Sequence, residues 1–281
     1  MMNHKCTPPG GSATAGAELS AERKAYLRQL QRQKREITWW RTGLLFGLLL
    51  LWELAARLGW IDSFITSSPS RIISTLLSLG DNQLPMHIAV TLYETLTGFV
   101  LGAFGGLLLA ILLWQSDRVS RILEPYLVVL NSLPKIALGP VIIIWVGAGT
   151  RAIVVMAVAI SMIVTVLEML EGFRSTDPEL IRMAETFGAD RRQVFRKIVF
   201  PANIPVLFNS LKINIGLSLV GVIAGEFLVS KAGLGYLIVY GGQVFQLDLV
   251  MTGVLILALM AVGMYRCITL VEHRVLRSRR H

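Results

Sequence analysis

Six stretches of this sequence are apolar without alternating: 42–61, 89–114, 125–147, 151–170, 205–229 and 249–271. Runs such as Leu44 to Trp52 and Val250 to Val262 show no period of two, so they read as helices and not as strands. Each is near the roughly 20 residues that a helix needs to cross a bilayer. Only helices or closed barrels satisfy the backbone in lipid. The pattern predicts an all-α integral membrane protein with about six transmembrane helices, the third interrupted by Pro134, Lys135, Gly139 and Pro140.

Composition strengthens this reading. The 281 residues are 54% hydrophobic and only 16% charged, against roughly 25% charged in a soluble domain. The net charge of +9 comes from basic residues that flank the apolar runs and do not form one patch. That is a topology signal, and nucleic acid is not an expected partner. Segments 1–41, 115–124, 171–204 and 272–281 carry twenty Lys/Arg, and the alternate loops carry three: Arg71, Arg151 and Lys231. The bias places both termini in the cytoplasm, which agrees with an even number of spans.

Residues 1–40 are of another kind. Thr7 to Ala17 reads as a flexible tail, and Ala21 to Ile37 as a cationic juxtamembrane helix, either solvated or attracted to anionic lipid. The charged stretch is too long for a cleaved signal peptide. Residues 41–271 form the expected transmembrane domain, and 272–281 a basic cytoplasmic tail.

Several chemistries find no residues to carry them. There is no Gly-Lys pair, hence no phosphate-binding P-loop. Tyr240-Gly241-Gly242-Gln243 reads as a turn before the last span. Two cysteines and four scattered histidines make neither a disulfide framework nor a zinc site. Gly98, Gly102 and Gly106 form a small-residue packing face. Glu53 and Arg57 stand four apart, as an intrahelical ion pair would. No catalytic constellation, cofactor site or metal site is expected.

Two regions carry candidate function. In the broken third span, Lys135 is costly in lipid; it is either a functional residue or a lysine snorkelling to the interface. Asn131 and Pro134 stand beside it. The fifth span carries Ser210, Asn214, Ser218, Gly221 and Gly225 on one face, followed by Glu226. That face either lines a path or packs on a neighbour. The second region is the long inner loop, 174–204. Asp177 and Pro178 begin a helix with Leu180, Ile181, Ala184 and Phe187 at helical spacing, and Gly188 stops it. Asp190 caps a second helix that is expected to run to about Phe200 and end at Pro201. Such a pair is either a membrane-surface elbow or a knob for a soluble partner.

This loop resembles the EAA loop of ABC importer permeases: E-A-A, three residues, Gly, nine residues, Ile-x-Leu-Pro. Ala184, Gly188, Ile198 and Pro201 fall on their places, while Arg182 stands where the family has Glu, and Met183 and Phe200 also depart from the pattern. Ser68-Pro69-Ser70, TLYETLTGF (91–99), 124–150 and GEFLVSKAGLGYLI (225–238) are similar to the nitrate/sulfonate/taurine branch. A tryptophan often found there before the Glu of the fifth span is missing. The resemblance implies the permease subunit of an ATP-driven importer in a prokaryotic inner membrane. It would be a homodimer with the pathway between protomers, and a separate ATPase would bind the ATP. An extracytoplasmic solute-binding protein would deliver a small solute such as nitrate, a sulfonate or taurine. Arg182, Ala184, Glu185, Thr186, Phe187, Gly188, Ala189, Ile198 and Pro201 would belong to the ATPase-coupling loop. An ion-coupled secondary transporter and a non-transporting membrane scaffold are the rival readings.

Overall fold

The computed structural model describes residues 12–78 and 84–278, which fall into two compact units, Met1–Ser63 and Phe64–His281. Among the described residues all regular structure is helical.

The first unit is dominated by α1 (Ser12–Arg57), 46 residues long and about 69 Å in length at 1.5 Å per residue. The juxtamembrane helix expected over 21–37 and the apolar stretch from Thr42 are therefore one helix. Residues 12–17, expected as flexible tail, are its first turns. Ala13, Ala15 and Ala17 are strong helix formers and favour that start; the rest of the expected tail lies outside the described residues. Arg57 Nε donates to Glu53 Oε1 at 2.7 Å, the expected i,i+4 pair. Gly59, at φ +70°, ends the helix, with Trp60 N–H returning to the Ala55 carbonyl at 3.0 Å.

The short α2 (Ser63–Thr66) leads to the second unit. There α3 (Pro69–Ser78) starts on Ser68, whose Oγ accepts from Arg71 N–H at 3.4 Å. The long helices are α4 (Leu84–Gln115), α7 (Thr150–Arg174), α11 (Ile204–Val229) and α13 (Leu247–Ser278). Between α4 and α7 lie α5 (Asp117–Ser132), a 3₁₀ turn (Lys135–Leu138) and α6 (Gly139–Val146). The loop after α7 holds α8 (Pro178–Thr186), α9 (Arg191–Val194), a π turn (Phe195–Val199) and α10 (Phe200–Ala202). Finally, α12 (Leu234–Gln243) joins α11 to α13.

Four of these helices are long and apolar enough to cross a membrane, and α5 with α6 makes a fifth if the pair, bent by 87°, is one broken span. The expected interruption of the third span is thus a near right-angle elbow. Pro134 has no N–H to continue α5, and the 3₁₀ turn carries the chain around the corner. The last span does not stop at 271: α13 continues through Ser278, since nothing from Glu272 to Arg277 breaks a helix.

The packing centre is α7, with α4 on one flank and α11 on the other. Glycines allow the approach. A Cβ on Gly98 would stand 2.6 Å from Ala157 Cβ, and one on Gly221 2.6 Å from Ala157 Cα. Ala157 is therefore sandwiched between two glycines, one on each neighbouring helix. Gly102 meets Ser161, and Gly106 meets Thr165, in the same register. This is small-residue packing, which brings backbones together where lipid offers no hydrophobic drive.

Candidate functional site

At one end of the bundle, side-chain caps shape the loop. Asp177 accepts from Glu179 N–H at 2.9 Å, and Pro178 occupies a position whose N–H would be unpaired anyway. Gly188 turns the chain at φ +81°, while Ala189 N–H closes on the Ala184 carbonyl at 3.0 Å. Asp190 and Gln193 then form a reciprocal capping box, at 2.7 and 3.1 Å.

Pro201 does not end the second helix. Upstream of it the helix widens to a π turn, in which Phe200 N–H reaches the Phe195 carbonyl, and this absorbs the carbonyl that Pro201 cannot pair. The break comes at Asn203, a buried residue that the sequence did not single out. Its Nδ2 donates to Thr176 Oγ1 and to the Val199 carbonyl, both at 2.8 Å, tying the two ends of the loop together.

The loop has two apolar faces. Ile181, Ala184, Ala189, Phe195 and Phe200 pack on a core of Ala110, Leu113, Val166, Met169, Leu170, Phe173, Val194 and Val199. Leu180, Met183 and Phe187 point outward, and Phe187 is 83% exposed. Arg182, Glu185, Thr186 and Gly188 are exposed as well, whereas Ala184, Ala189, Ile198 and Pro201 are half-buried.

The loop is also fastened to the α4–α5 corner. Arg191 donates to the Trp114 carbonyl at 2.9 Å and to Asp117 Oδ1 at 3.0 Å, with its guanidinium 5.3 Å from the Trp114 ring. Phe195 packs with Trp114, Phe173 and Phe200 at centroid distances of 5.0, 5.2 and 5.9 Å. Arg174, closing α7, donates to Glu124 and to Ser120 on α5, each at 2.9 Å.

The polar face of α11 is turned inward. Ser210, Asn214 and Ser218 are buried, Asn214 donates to Thr165 of α7, and Gly221 lies against Ala157. Asn131 and Pro134 are exposed at the elbow, and Lys135 Nζ donates to the Asn131 carbonyl and Oδ1 at 2.9 and 3.2 Å. The other side of α11 forms an apolar groove with the elbow, lined by Ile136, Pro140, Val220, Ile223 and Phe227.

At the far end of the bundle, Glu226 is 1% exposed. Thr91 Oγ1 donates to its Oε1 at 2.6 Å, and Gly235 N–H donates to its Oε2. Leu234 N–H reaches Thr91 Oγ1 at 2.7 Å, and Gly233 N–H reaches His87 Nδ1 at 2.9 Å. The two oxygens of this one carboxyl group thus hold the N-terminus of α12 against α4 and α11. Glu94, one turn along α4, is equally buried and lies beside Glu226 and Thr150. Neither Thr91 nor Glu94 was identified from sequence, although both lie in TLYETLTGF. The Tyr240–Gln243 stretch forms the last turn of α12 instead of a turn between elements, with Gly241 buried against α13.

Among the described residues no group of three or more His, Cys, Asp or Glu is placed to hold a metal.

Residues 102–277 match the family model described as "Binding-protein-dependent transport system inner membrane component". A probable ABC transporter permease protein of Haemophilus influenzae is 31% identical over 231 residues, covering 82% of this chain and 94% of its own. A putative aliphatic sulfonates transport permease protein, SsuC, of Bacillus subtilis is 26% identical over 243 residues, 85% and 88% of the two chains. Among solved structures, a bacterial ABC transporter involved in import of the acidic polysaccharide alginate shares the fold. Its TM-score is 0.62 at 15% identity, over 92% of this chain and 99% of that one.

Proposed function

The chain belongs to the binding-protein-dependent transport system inner membrane component family, as a multi-pass permease of the type I ABC importers; from that premise we propose how its parts divide the work. The 174–204 loop is the docking element for a separate ATPase, which binds and hydrolyses the ATP. Leu180, Met183 and Phe187 enter a groove on that partner, with Arg182, Glu185, Thr186 and Gly188 at the contact. Ala184, Ala189, Ile198 and Pro201 hold the knob in shape.

The observation that carries this reading is an exposed apolar tip on a loop whose two helices are capped by Asp177 and Asp190 and whose base is packed. A loop that only lay in water would not keep Phe187 so exposed. Burying that ring alone stabilises a complex by about 2 kcal/mol.

Force applied at the tip has a physical route. Arg191 and the aromatic cluster join the loop to the end of α4, and Arg174 joins the end of α7 to α5. Both lead to the α5–α6 elbow. Two copies of the chain, each with an ATPase below, would enclose the solute path between them. A solute-binding protein would deliver from the extracytoplasmic side, and both termini would lie in the cytoplasm. The path would run along the exposed face of α11 and the elbow, with Asn131, Pro134 and Lys135 beside it. Ser210, Asn214, Ser218 and Gly221 would keep α11 on α7, and Glu226 would keep the outer end closed. The resemblance to a sulfonate permease supports a small solute of the sulfonate, taurine or nitrate kind.

The test is gentle purification of the tagged chain from its native membrane, beside a Phe187→Asp variant. The native chain is expected to bring down a stoichiometric P-loop ATPase, which the variant loses while remaining inserted. Equal recovery of the ATPase with both would overturn the docking assignment.

A further inference from the structure

The loop carries a second surface, where it meets the end of α4. A cavity of about 330 Å³ is lined by Trp114, Gln115, Arg191, Arg192 and Phe195. Beside it a second, of about 530 Å³, is lined by Asp190, Arg192, Gln193, Arg196 and Lys197. Arg192 borders both. The acids nearby are already engaged: Asp117 accepts from Arg191, and Asp190 from Gln193 N–H in the capping box. Arg192, Arg196 and Lys197 are exposed, and among the described residues none of them forms an ion pair.

We propose that this twin cavity binds the phosphate of an anionic phospholipid headgroup, with Trp114 at the interface and Arg192, Arg196 and Lys197 on the phosphate. Position favours lipid over the ATPase. Trp114 and Gln115 end a membrane-crossing helix, and Arg196 and Lys197 stand one turn before Phe200–Pro201, which lead into the next one. From Arg191 to Lys197 the helix climbs about 9 Å, comparable with the roughly 5–7 Å of headgroup region on each side of the hydrocarbon. The exposed apolar residues Leu180, Met183 and Phe187 belong instead to the preceding helix and its C-cap. Tryptophan belongs at that depth, and cations there are drawn to anionic lipid. The inference goes beyond the docking assignment and depends on it only for which leaflet supplies the lipid. A filled site would brace the base of the loop.

The experiment uses the full chain, purified in detergent and titrated with phosphatidylglycerol or phosphatidylcholine, with bound lipid read by native mass spectrometry. Phosphatidylglycerol is expected to be retained and phosphatidylcholine not. The variant R192Q/R196Q/K197Q should weaken phosphatidylglycerol binding about a hundredfold, on the order of one factor of five per cation lost near the surface. R118Q/R121Q, which removes two exposed cations of α5, should leave it unchanged. All five side chains are exposed, so the fold is kept, and R192K/R196K should restore binding. Undiminished binding by the triple variant would overturn the proposal. So would displacement of the lipid by millimolar inorganic phosphate, which would make the ligand a free anion. Loss of the ATPase with lipid retained would assign the cations to docking instead.

Discussion

The α4–α7–α11 core and the α5–α6 arm are both candidates to cross the membrane, yet they solve different problems. In the core, Ala157 touches glycines on both neighbours, and buried Thr165 and Asn214 bond across the seam. In the arm, a proline-marked elbow bends by 87°, and Leu130, Leu133, Ile136, Ile144 and Trp145 stay exposed. The core has one tight arrangement with no room to slide. The arm is held by an end, through Glu124 and Asp117, and by Gly139 against Leu228 and Met156. An ATP-driven permease needs both: a part that transmits and a part that swings.

The largest effect should come from breaking the core. In Gly221→Leu, the new Cβ would stand 2.6 and 3.0 Å from backbone atoms of Ala157. We expect a loss of about 3 kcal/mol or more, seen as failure to purify as a monodisperse species. Gly216→Leu, on the same helix with nothing within 4 Å of the new Cβ, should melt like the native chain; equal loss in both would refute the close-packed seam.

Next comes the clamp at the far end. Glu226→Ala strands the Thr91 hydroxyl and the Gly235 N–H and should cost about 2–4 kcal/mol, while Glu226→Gln should cost less because the amide oxygen still accepts. Thermal melts of the two variants give the comparison, and the reverse ranking would show that the clamp does not rest on acceptor oxygens.

Gly188→Trp should be milder for the fold and severe for function. The residue sits at φ +81° with no neighbour within 4 Å, so about 1–2 kcal/mol of backbone strain is the whole structural penalty. The indole would project at the docking tip, and ATP hydrolysis should uncouple from uptake. Normal uptake by a fully inserted variant would remove the tip from the coupling route. The smallest structural effect belongs to Lys135→Met: a melt within about 0.5 kcal/mol of native, with uptake lowered several-fold. Unchanged uptake would mark Lys135 as a snorkelling lysine.

Helix positions and the loop's two helices were legible because apolar period and capping residues are local signals: Asp177, Gly188 and Asp190 each do in the structure what their residue types favour. What sequence could not supply was direction around the helix. Ser210, Asn214 and Ser218 form one polar face on any helical wheel, and only the neighbouring α7 decides that these side chains are buried. Pro201 misled for a related reason, since a π turn upstream hides the cost of a missing N–H. The Thr91–Glu226–Gly235 clamp joins residues more than 130 positions apart, beyond the reach of any local pattern. Two resemblance-bearing stretches, 91–99 and 225–238, meet there.

The most direct test of the central claim, that the 174–204 loop relays ATPase closure to the spans, is a spin-label distance between two copies of the chain. Glu179→Cys, exposed at the start of α8, with Cys6 and Cys267 replaced by serine, puts one label on each loop of the assembled transporter. A single inter-chain distance that shortens when ATP is trapped on the partner is expected. No inter-chain distance, or one that ATP leaves unchanged, would contradict it.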